Sequence, residues 1–209
     1  MLFYDCSTAP SPRRARMFIA EKGLQIDTQE VSMRAGEQLK PDFLAVNPRA
    51  TIPVLVTDAG TALTENIAIA AYLEAAHPEP PLMGRTPDEK ALVLMWNAIS
   101  EANCGAAIAE AFRNSHPAMK DRAIPGPNNY AQIPELAERG RAKLAVFFDT
   151  LEARLAESAY LATDHLTLAD ITTFVFVDFA RVIQTTIPED NSATKAWFDA
   201  IKTRPSAQL

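Results

Sequence analysis

Two short stretches, Ala-Thr-Ile-Pro-Val-Leu-Val at residues 50–56 and Leu-Thr-Glu-Asn-Ile-Ala-Ile at residues 63–69, decide the fold of this chain. The first stretch predicts a short apolar strand with Pro53 at its start or edge, because proline cannot donate a hydrogen bond to a sheet. The Ile52–Pro53 bond is a candidate for the cis form, since cis peptide bonds are nearly confined to proline. A cis bond would turn the backbone N–H and C=O of Ile52 outward, free to pair with an extended peptide.

The second stretch places an acid and an amide, Glu65 and Asn66, in the first turn of a helix. Free backbone N–H groups and the positive end of the helix dipole lie there, and both favour a bound carboxylate. Together the two stretches predict a site for a peptide-like ligand that carries a carboxylate.

The bulk properties exclude several classes of function. The chain has 209 residues and a formal charge of −6, which argues against nucleic acid as a partner because phosphate binding needs a basic face. No apolar run approaches a membrane span and no secretory signal is visible, so we expect a cytoplasmic protein without a membrane partner. The two cysteines suit a reducing compartment, and the three histidines show no metal-ligand spacing, so no metal is expected.

The order of elements predicts two domains. Turn residues and periodicity predict strands at 1–5, 25–31, 54–56 and 61–63, and helices at 11–23, 36–46 and 65–76. Residues 77–87 hold four prolines and one glycine, which is typical of a domain boundary. The rest of the chain is predicted to be helical, apart from a proline-rich, structureless stretch at 114–134. Four apolar stripes at helical spacing support this prediction: Leu92, Met95, Trp96, Ile99 and Ala106; Leu144, Phe147, Phe148, Leu151 and Leu155; Ile171, Val175 and Val182; and Trp197 with Ile201.

The run Ile52-Pro53-Val54-Leu55, followed by Glu65-Asn66, resembles the signature of the glutathione S-transferase superfamily, in which a proline strand and turn precede Glu-Ser. The resemblance covers nearly the whole chain, and the capping-box motif Thr167-Leu168-Ala169-Asp170 is similar to a family motif. It implies an α/β domain followed by an all-α domain: a thioredoxin-like glutathione-binding domain at 1–77, a linker at 78–87, and a helical bundle at 88–209 that contributes the electrophile site.

The thiol-activating position departs from the family. Several branches place a working Ser, Thr or Cys directly before a proline at the mouth of the first helix, and this chain has Ala9 there. Ser11 is the best substitute as the catalytic residue, although it could serve only as the helix N-cap. The other candidate donors are Ser7, Thr8 and Cys6, and Tyr4 is better explained by core packing.

The resemblance implies a role for each remaining ligand-binding residue. Glu65 would accept from the α-ammonium of glutathione, Asn66 would donate to its α-carboxylate, and Ile52 beside Pro53 would pair with the cysteinyl unit. The residues within reach of the glycyl carboxylate would be Lys40, Gln38 and Arg49. The electrophile would bind near Glu101, Asn103, Ala106, Phe112 and Arg113, with residues 114–134 as a lid.

The resulting hypothesis is a detoxifying glutathione transferase that joins the glutathione thiolate to a small hydrophobic electrophile, or uses it to reduce a peroxide or disulfide. Glutathione would be a co-substrate, and the family implies a homodimer. Ala9 keeps one alternative open, a non-catalytic regulatory or binding protein with a degenerate thiol site.

Overall fold

The computed structural model describes all residues from 1 to 209. The first part of the chain forms a four-stranded sheet. Its strands are β1 (Leu2–Asp5), β2 (Asp27–Glu30), β3 (Val54–Val56) and β4 (Ala62–Leu63), in the spatial order β2-β1-β3-β4. β1 pairs in parallel with β2, and the antiparallel pairs are β1 with β3 and β3 with β4. Because a parallel pair needs a long crossover, helix α1 (Pro10–Glu21) joins β1 to β2. The sheet confirms the thioredoxin-like arrangement.

The predicted helix at 36–46 is wrong as a single element. A 3-10 turn, Glu37–Leu39, is followed by the separate helix α2 (Pro41–Val46). Lys40 lies between them with an extended backbone, ψ 153°, because the ring of a following proline disfavours the helical conformation. Helix α3 (Asn66–Ala76) closes this half of the chain.

Every α-helix after the proline-rich linker belongs to the second half of the fold. These helices are α4 (Pro87–Ser100), α5 (Ala106–Ser115), α6 (Pro134–Glu157), α7 (Leu168–Phe179) and α8 (Ser192–Lys202). A π-helical turn, Glu101–Gly105, joins α4 and α5. The fold is therefore a thioredoxin-like domain followed by a helical domain, while the exact bounds 1–77, 78–87 and 88–209 stay predictions.

The prediction of a structureless stretch at 114–134 is wrong. Helix α5 runs to Ser115, a 3-10 turn covers Pro117–Met119, and Arg122 bridges to Tyr130. The Arg122 guanidinium donates to the carbonyl of Gly126 over 2.7 Å, and Arg113 holds the Arg122 carbonyl at 2.6 Å. The prolines prevent a helix here, and arginine hydrogen bonds to backbone carbonyls order the loop instead.

One continuous helix, Pro87–Ser115, is long and apolar enough to span a membrane by length and composition alone. This corrects the expectation that no apolar run approaches that length. The same test is passed by the core helices of globular proteins. In this structure the helix packs on α6 and α7, and the side chains of Val93, Cys104, Ala107 and Ile108 are buried in the main core.

The main hydrophobic core joins the sheet, α1 and α3 to the helical domain. The predicted apolar stripes of α6 and α8 are confirmed, since Leu144, Phe147, Leu151, Trp197 and the other members of these stripes are buried. The predicted stripe of α4 is wrong at Leu92 and Met95, which are 39% and 46% exposed. Val93 and Asn97 face the core in their place. Asn97 accepts from the hydroxyl of Thr172 at 2.7 Å, so a polar pair occupies a position that an apolar pattern does not reveal.

Candidate functional site

The loop before β3 is held by one buried amide. Asn47 donates from its side chain to the carbonyl of Thr51 over 2.8 Å and accepts from the backbone N–H of Arg49 at 3.1 Å. Between them Ala50 has a left-handed backbone, φ 53°, which is uncommon for a residue with a side chain. The Ile52–Pro53 bond is cis, as predicted. Neither the N–H nor the C=O of Ile52 has a hydrogen-bond partner within the chain.

A small apolar cluster lies beside Ile52 and is separate from the main core. It consists of Cys6, Val31, Phe43, Ile52 and Val54, and the methyl group of Ala9 packs against it. Ala9 ends the loop after β1 and immediately precedes α1. The position that resembles the family's thiol-activating residue therefore lies beside the cluster that contains Ile52.

Ser11 lies in the first turn of α1, one residue past the start of the helix. The N-cap is Ala9, which makes no side-chain cap, so the alternative that Ser11 is only the N-cap is wrong. Pro10 and Pro12 have no backbone N–H. The N–H of Ser11 is consequently the one first-turn donor of this helix without a partner in the chain.

Asn66 and Ser11 connect the first turns of two helices. Asn66 donates from Nδ2 to Oγ of Ser11 over 2.9 Å, while its own Oδ1 is buried without any partner. No side chain caps the N-terminus of α3, where Glu65 is the N-cap residue. Buried polar atoms normally have a partner, so the free Oδ1 marks a place for a ligand group.

Glu65 already carries an ion pair. Its carboxylate accepts from Nη2 of Arg49 at 2.6 Å, and the same nitrogen contacts the hydroxyl of Thr64. The two partners are 58% and 61% exposed, which makes the pair weak and easily exchanged. Arg49 was predicted at the glycyl end of glutathione, and the structure places it at Glu65 instead.

The two other residues proposed for the glycyl end differ in burial. Gln38 is buried, and its Oε1 has no hydrogen-bond partner. Lys40 is exposed and lies 4.0 Å from Glu37. A buried amide without a partner fits ligand binding better than a solvated ammonium does.

Arg14 is a buried cation that sequence reasoning missed. Its guanidinium pairs with Glu101 in the π-helical turn and stacks over the ring of Phe176 at 4.9 Å, while Nε has no partner. Burial lowers the pKa of Arg14, and the charges of Glu101 and Glu65 oppose that effect. The pair joins α1 to the helical domain, and only the run of three arginines at 13, 14 and 16 hints at it in the sequence.

Most of the residues predicted to meet the electrophile are engaged in contacts of their own. Glu101 is tied to Arg14, the amide of Asn103 donates to the Ile99 carbonyl at 3.0 Å, and Arg113 holds the 116–133 loop. Ala106 is exposed on the helix. Phe112 packs edge-on against Phe179, with ring centroids 6.2 Å apart.

A cleft of about 540 Å³ opens between the two domains, next to the loop after β1. Its volume lies in the range of small-molecule sites. Residues 7–10 form one wall, and α7, α8 and the last residues form the other; the lining includes Arg13, Phe174, Asp178, Phe179, Arg181 and Lys202. The cleft therefore adjoins the Ile52 cluster through Ala9, which lines the cleft and also packs against that cluster.

The remaining candidates for thiol activation are engaged elsewhere or lie apart. Ser7 donates its hydroxyl to Glu30 at 3.0 Å, and Cys6 is buried with Sγ 3.5 Å from the Thr8 hydroxyl. Tyr4 packs edge-on against Phe43, as expected for a core role. Burial raises the pKa of the Cys104 thiol, which disfavours its thiolate. No group of three or more His, Cys, Asp or Glu side chains is placed to hold a metal ion.

Comparison with known proteins decides the family. Residues 8–76 match the model of the glutathione S-transferase N-terminal domain, and residues 104–205 match that of the C-terminal domain. The chain belongs to the glutathione S-transferase family. It is 34% identical to glutathione S-transferase 2 of Saccharomyces cerevisiae, in an alignment that covers 100% of this chain and 88% of that protein.

Solved structures agree with this assignment. The crystal structure of Gtt2 from Saccharomyces cerevisiae superposes with a TM-score of 0.90 at 31% identity, covering 100% of this chain and 99% of that one. A glutathione S-transferase domain-containing protein from Marinobacter aquaeolei gives 0.86 at 32% identity, with 99% of each chain covered. The predicted family, fold and enzyme class are confirmed: the protein is a glutathione transferase, and nothing in the comparisons favours the regulatory alternative.

Proposed function

We propose that this transferase joins the glutathione thiolate to a small electrophile and that Ser11 supplies the hydrogen bond that stabilises the thiolate. The observation that carries the assignment is the 2.9 Å bond from Asn66 to Ser11 Oγ. Because Ser11 accepts from Asn66, its own hydroxyl hydrogen has no acceptor within the chain and is free to donate to sulfur. The first turn of α1 adds a positive dipole end and the unpaired N–H of Ser11, both of which lower a thiol pKa.

The γ-glutamyl end of glutathione would bind at the start of α3. Its α-carboxylate would accept from the uncapped N–H groups and from the second Nδ2 hydrogen of Asn66. Its α-ammonium would donate to Glu65 and to the unpaired Oδ1 of Asn66, displacing Arg49 from Glu65. The ligand would thus satisfy the polar atom that the free protein leaves buried without a partner.

The rest of glutathione would extend along the loop before β3. The cysteinyl amide and carbonyl would pair with the free backbone groups of Ile52, beside Pro53. The glycyl carboxylate would reach Gln38, with Lys40 as a more distant charge. This placement brings the sulfur between Ile52, Ala9 and Ser11.

In the reaction, the thiol loses its proton to solvent and the thiolate is held by Ser11. The sulfur lone pair then forms the carbon–sulfur bond, and the leaving group departs with the electrons of its bond to carbon. Positioning of both substrates supplies most of the remaining acceleration. Ala9 takes no part in proton transfer, and its methyl group packs against the apolar cluster beside Ile52.

The deciding experiment is a pH titration of the thiolate ultraviolet absorbance of glutathione bound to the protein. We expect the bound thiol to ionise at least about one unit below the value near 8.5 of a free cysteine. Binding without such a shift would contradict thiol activation, and an absence of binding would contradict the whole proposal.

A homodimer fits the exposed apolar face of α4. Leu92, Leu94 and Met95 are 39%, 45% and 46% exposed, and Leu94 lines a depression of about 560 Å³ that also contacts Ala71 of α3. Large apolar side chains grouped on a surface are typical of an interface. Light scattering should show a dimer for the wild type and a monomer for Leu94→Glu. Val146→Glu, at an exposed position of α6, is the matched control and should remain a dimer.

A cytoplasmic, detoxifying role accords with this proposal. Glutathione is kept reduced in the cytoplasm, where both cysteines of the chain would also stay as thiols. Fractionation of cells followed by immunodetection would test the compartment, and sensitivity of a deletion strain to electrophiles would test the role.

A further inference from the structure

The cleft between the domains has a positive lining in a chain whose formal charge is −6. Its charged side chains are three cations, Arg13, Arg181 and Lys202, and one carboxylate, Asp178. Asp178 is already paired with Arg13, which also donates from Nη2 to the carbonyl of Ala207 over 2.7 Å. Arg13 is therefore committed to joining the domains. Asp178 is the one side-chain carboxylate that lines the cleft with Arg13, Arg181 and Lys202, so the lining keeps a net positive charge.

Arg181 and Lys202 are free to bind a ligand. Arg181 is 74% exposed, and its one ion-pair contact is with Asp178 at 3.5 Å. Lys202 has no carboxylate partner, and its ammonium lies 6.0 Å from the ring of Phe198. Because Arg181 is mostly exposed and Lys202 has no ion pair, each could turn towards an anion at little cost in stability.

Most of the remaining lining residues are apolar, and the polar ones among them are Ser7, Thr8 and Gln208. Phe179 of α7 offers a partly exposed ring, with the nearly fully buried Phe174 and Val175 behind it, and Ala9 with Pro10 forms the opposite side. Ala9 also packs against the cluster that contains Ile52, so this side of the cleft adjoins the proposed position of the glutathione sulfur. An apolar body can thus lie against these walls with its reactive carbon towards Ala9.

We infer that the cleft binds the second substrate and selects electrophiles that combine a flat apolar body with a carboxylate or another anionic group. The anionic group would contact Arg181 and Lys202 while the reactive carbon faces the thiolate. This inference rests on the proposed conjugation reaction and names its substrate class. Local positive charge inside an acidic protein also concentrates an anionic substrate at the cleft.

The test compares two aryl chlorides of one shape, chlorodinitrobenzoate and its methyl ester. In both, the glutathione sulfur bonds to the ring carbon and chloride leaves with the electron pair. Each kcat/KM is divided by the rate of the uncatalysed reaction with glutathione, which removes the difference in intrinsic reactivity. We expect this normalised value to favour the carboxylate by about 10-fold and the preference to fall as ionic strength rises.

Variants assign the preference to the two cations. Arg181→Gln and Lys202→Gln should each lower the acid-to-ester ratio by about 3- to 5-fold, in line with single exposed charge contacts. Lys120→Gln removes an exposed cation that does not line the cleft and should leave the ratio unchanged. A ratio near one that neither salt nor these variants alter would overturn the inference while leaving the conjugation reaction intact.

The same experiment distinguishes failure of the proposed conjugation reaction from failure of the inference about anionic substrates. If neither chloride reacts faster than without enzyme, conjugation is contradicted. Equilibrium binding of unreactive dinitrobenzoate and its methyl ester then decides the inference by itself. Tighter binding of the acid, weakened by Arg181→Gln, would support the anion site, and equal binding of acid and ester would refute it.

Discussion

The side-chain amide of Asn66 donates to the hydroxyl oxygen of Ser11 over 2.9 Å, joining the first turn of α3 to the first turn of α1. Each of these turns presents at least one unpaired backbone N–H and a positive dipole end. The bond fixes the orientation of Ser11 and leaves its hydrogen available. A residue proposed to bind the carboxylate of glutathione thereby positions the residue proposed to hold its sulfur.

Replacing Ser11 by alanine should remove the hydroxyl donor to the thiolate. A hydrogen bond to a charged group contributes about 1.5–3 kcal/mol, so the pKa of bound glutathione should rise by about one to two units and kcat/KM at neutral pH should fall about 10- to 100-fold. The pH dependence of kcat/KM and thiolate absorbance measure both quantities. The glutathione KM should change little, because the contact proposed for Ser11 is with the sulfur and not with the carboxylates.

Ser7→Ala is the matched control for this substitution. Ser7 lies on the same loop, and its hydroxyl donates to Glu30. Its removal should leave the pKa of the bound thiol unchanged. An unchanged thiol pKa in Ser11→Ala as well would assign thiol activation to another group.

Glu65 and Arg49 should have opposite effects on glutathione affinity. Glu65→Gln removes the acceptor proposed for the α-ammonium, so the glutathione KM should rise by about 3- to 5-fold, the discounted value for an exposed charged contact. Arg49→Gln removes the cation that competes for Glu65 in the free protein, so KM should fall or stay equal. A rise in KM for Arg49→Gln would instead make Arg49 a direct ligand of glutathione.

Local signals made the first half of the fold predictable. Pro53 set the start of β3, Gly60 has the left-handed backbone, φ 81°, that its turn requires, and the Thr167–Asp170 capping box forms as expected. Each of these depends on neighbours within a few residues. The pair of Glu65 and Asn66 at the start of α3 was predictable for the same reason.

Contacts between distant residues account for what the sequence could not show. The Arg49–Glu65 and Arg14–Glu101 pairs join separate elements, and no periodic pattern distinguishes them from solvated charges. The charged cleft combines α1, α7 and α8, so its position could not be deduced before the domains were packed. Helix α4 has apolar residues on an exposed face as well, which is why Leu92 was wrongly placed in the core.

Asp170 should be essential for stability. Its buried carboxylate accepts from the backbone N–H groups of Leu161 and Thr167, at 2.9 and 3.0 Å, and from the indole of Trp197 at 3.2 Å. Asp170→Ala would leave these buried donors unpaired and should lower the free energy of unfolding by about 3–5 kcal/mol, measured by urea denaturation. Asp149→Ala, at an exposed position of α6, should change it by less than about 0.5 kcal/mol.

Gly140 should tolerate no side chain. A Cβ at this position of α6 would collide with the carbonyl of Ala107 and would lie 2.9 Å from the N of Ala111, both backbone atoms of α5. Because helix backbone cannot rotate away as a side chain can, Gly140→Ala should force α5 and α6 apart and destabilise the protein by about 1–3 kcal/mol. Thermal denaturation measures this loss of stability. In the same measurement Glu138→Ala, at an exposed position of the same helix, should change the free energy of unfolding by less than about 0.5 kcal/mol.

Glu21 should make stability depend on pH in the acid range. Burial alone would raise the pKa of Glu21, but hydrogen bonds from Arg204 and Ser206 outweigh it and hold the pKa below 4.5. A carboxyl whose pKa is lowered on folding stabilises the protein above its unfolded pKa and loses that effect as pH falls through the folded pKa. Glu21→Gln should therefore lower the free energy of unfolding at pH 7 by about 1 kcal/mol, a modest value because Arg204 is partly exposed. Urea denaturation of both proteins should show this difference narrowing below about pH 4.5; a difference that stays constant down to pH 3 would mean that packing, and not charge, is what Glu21 contributes.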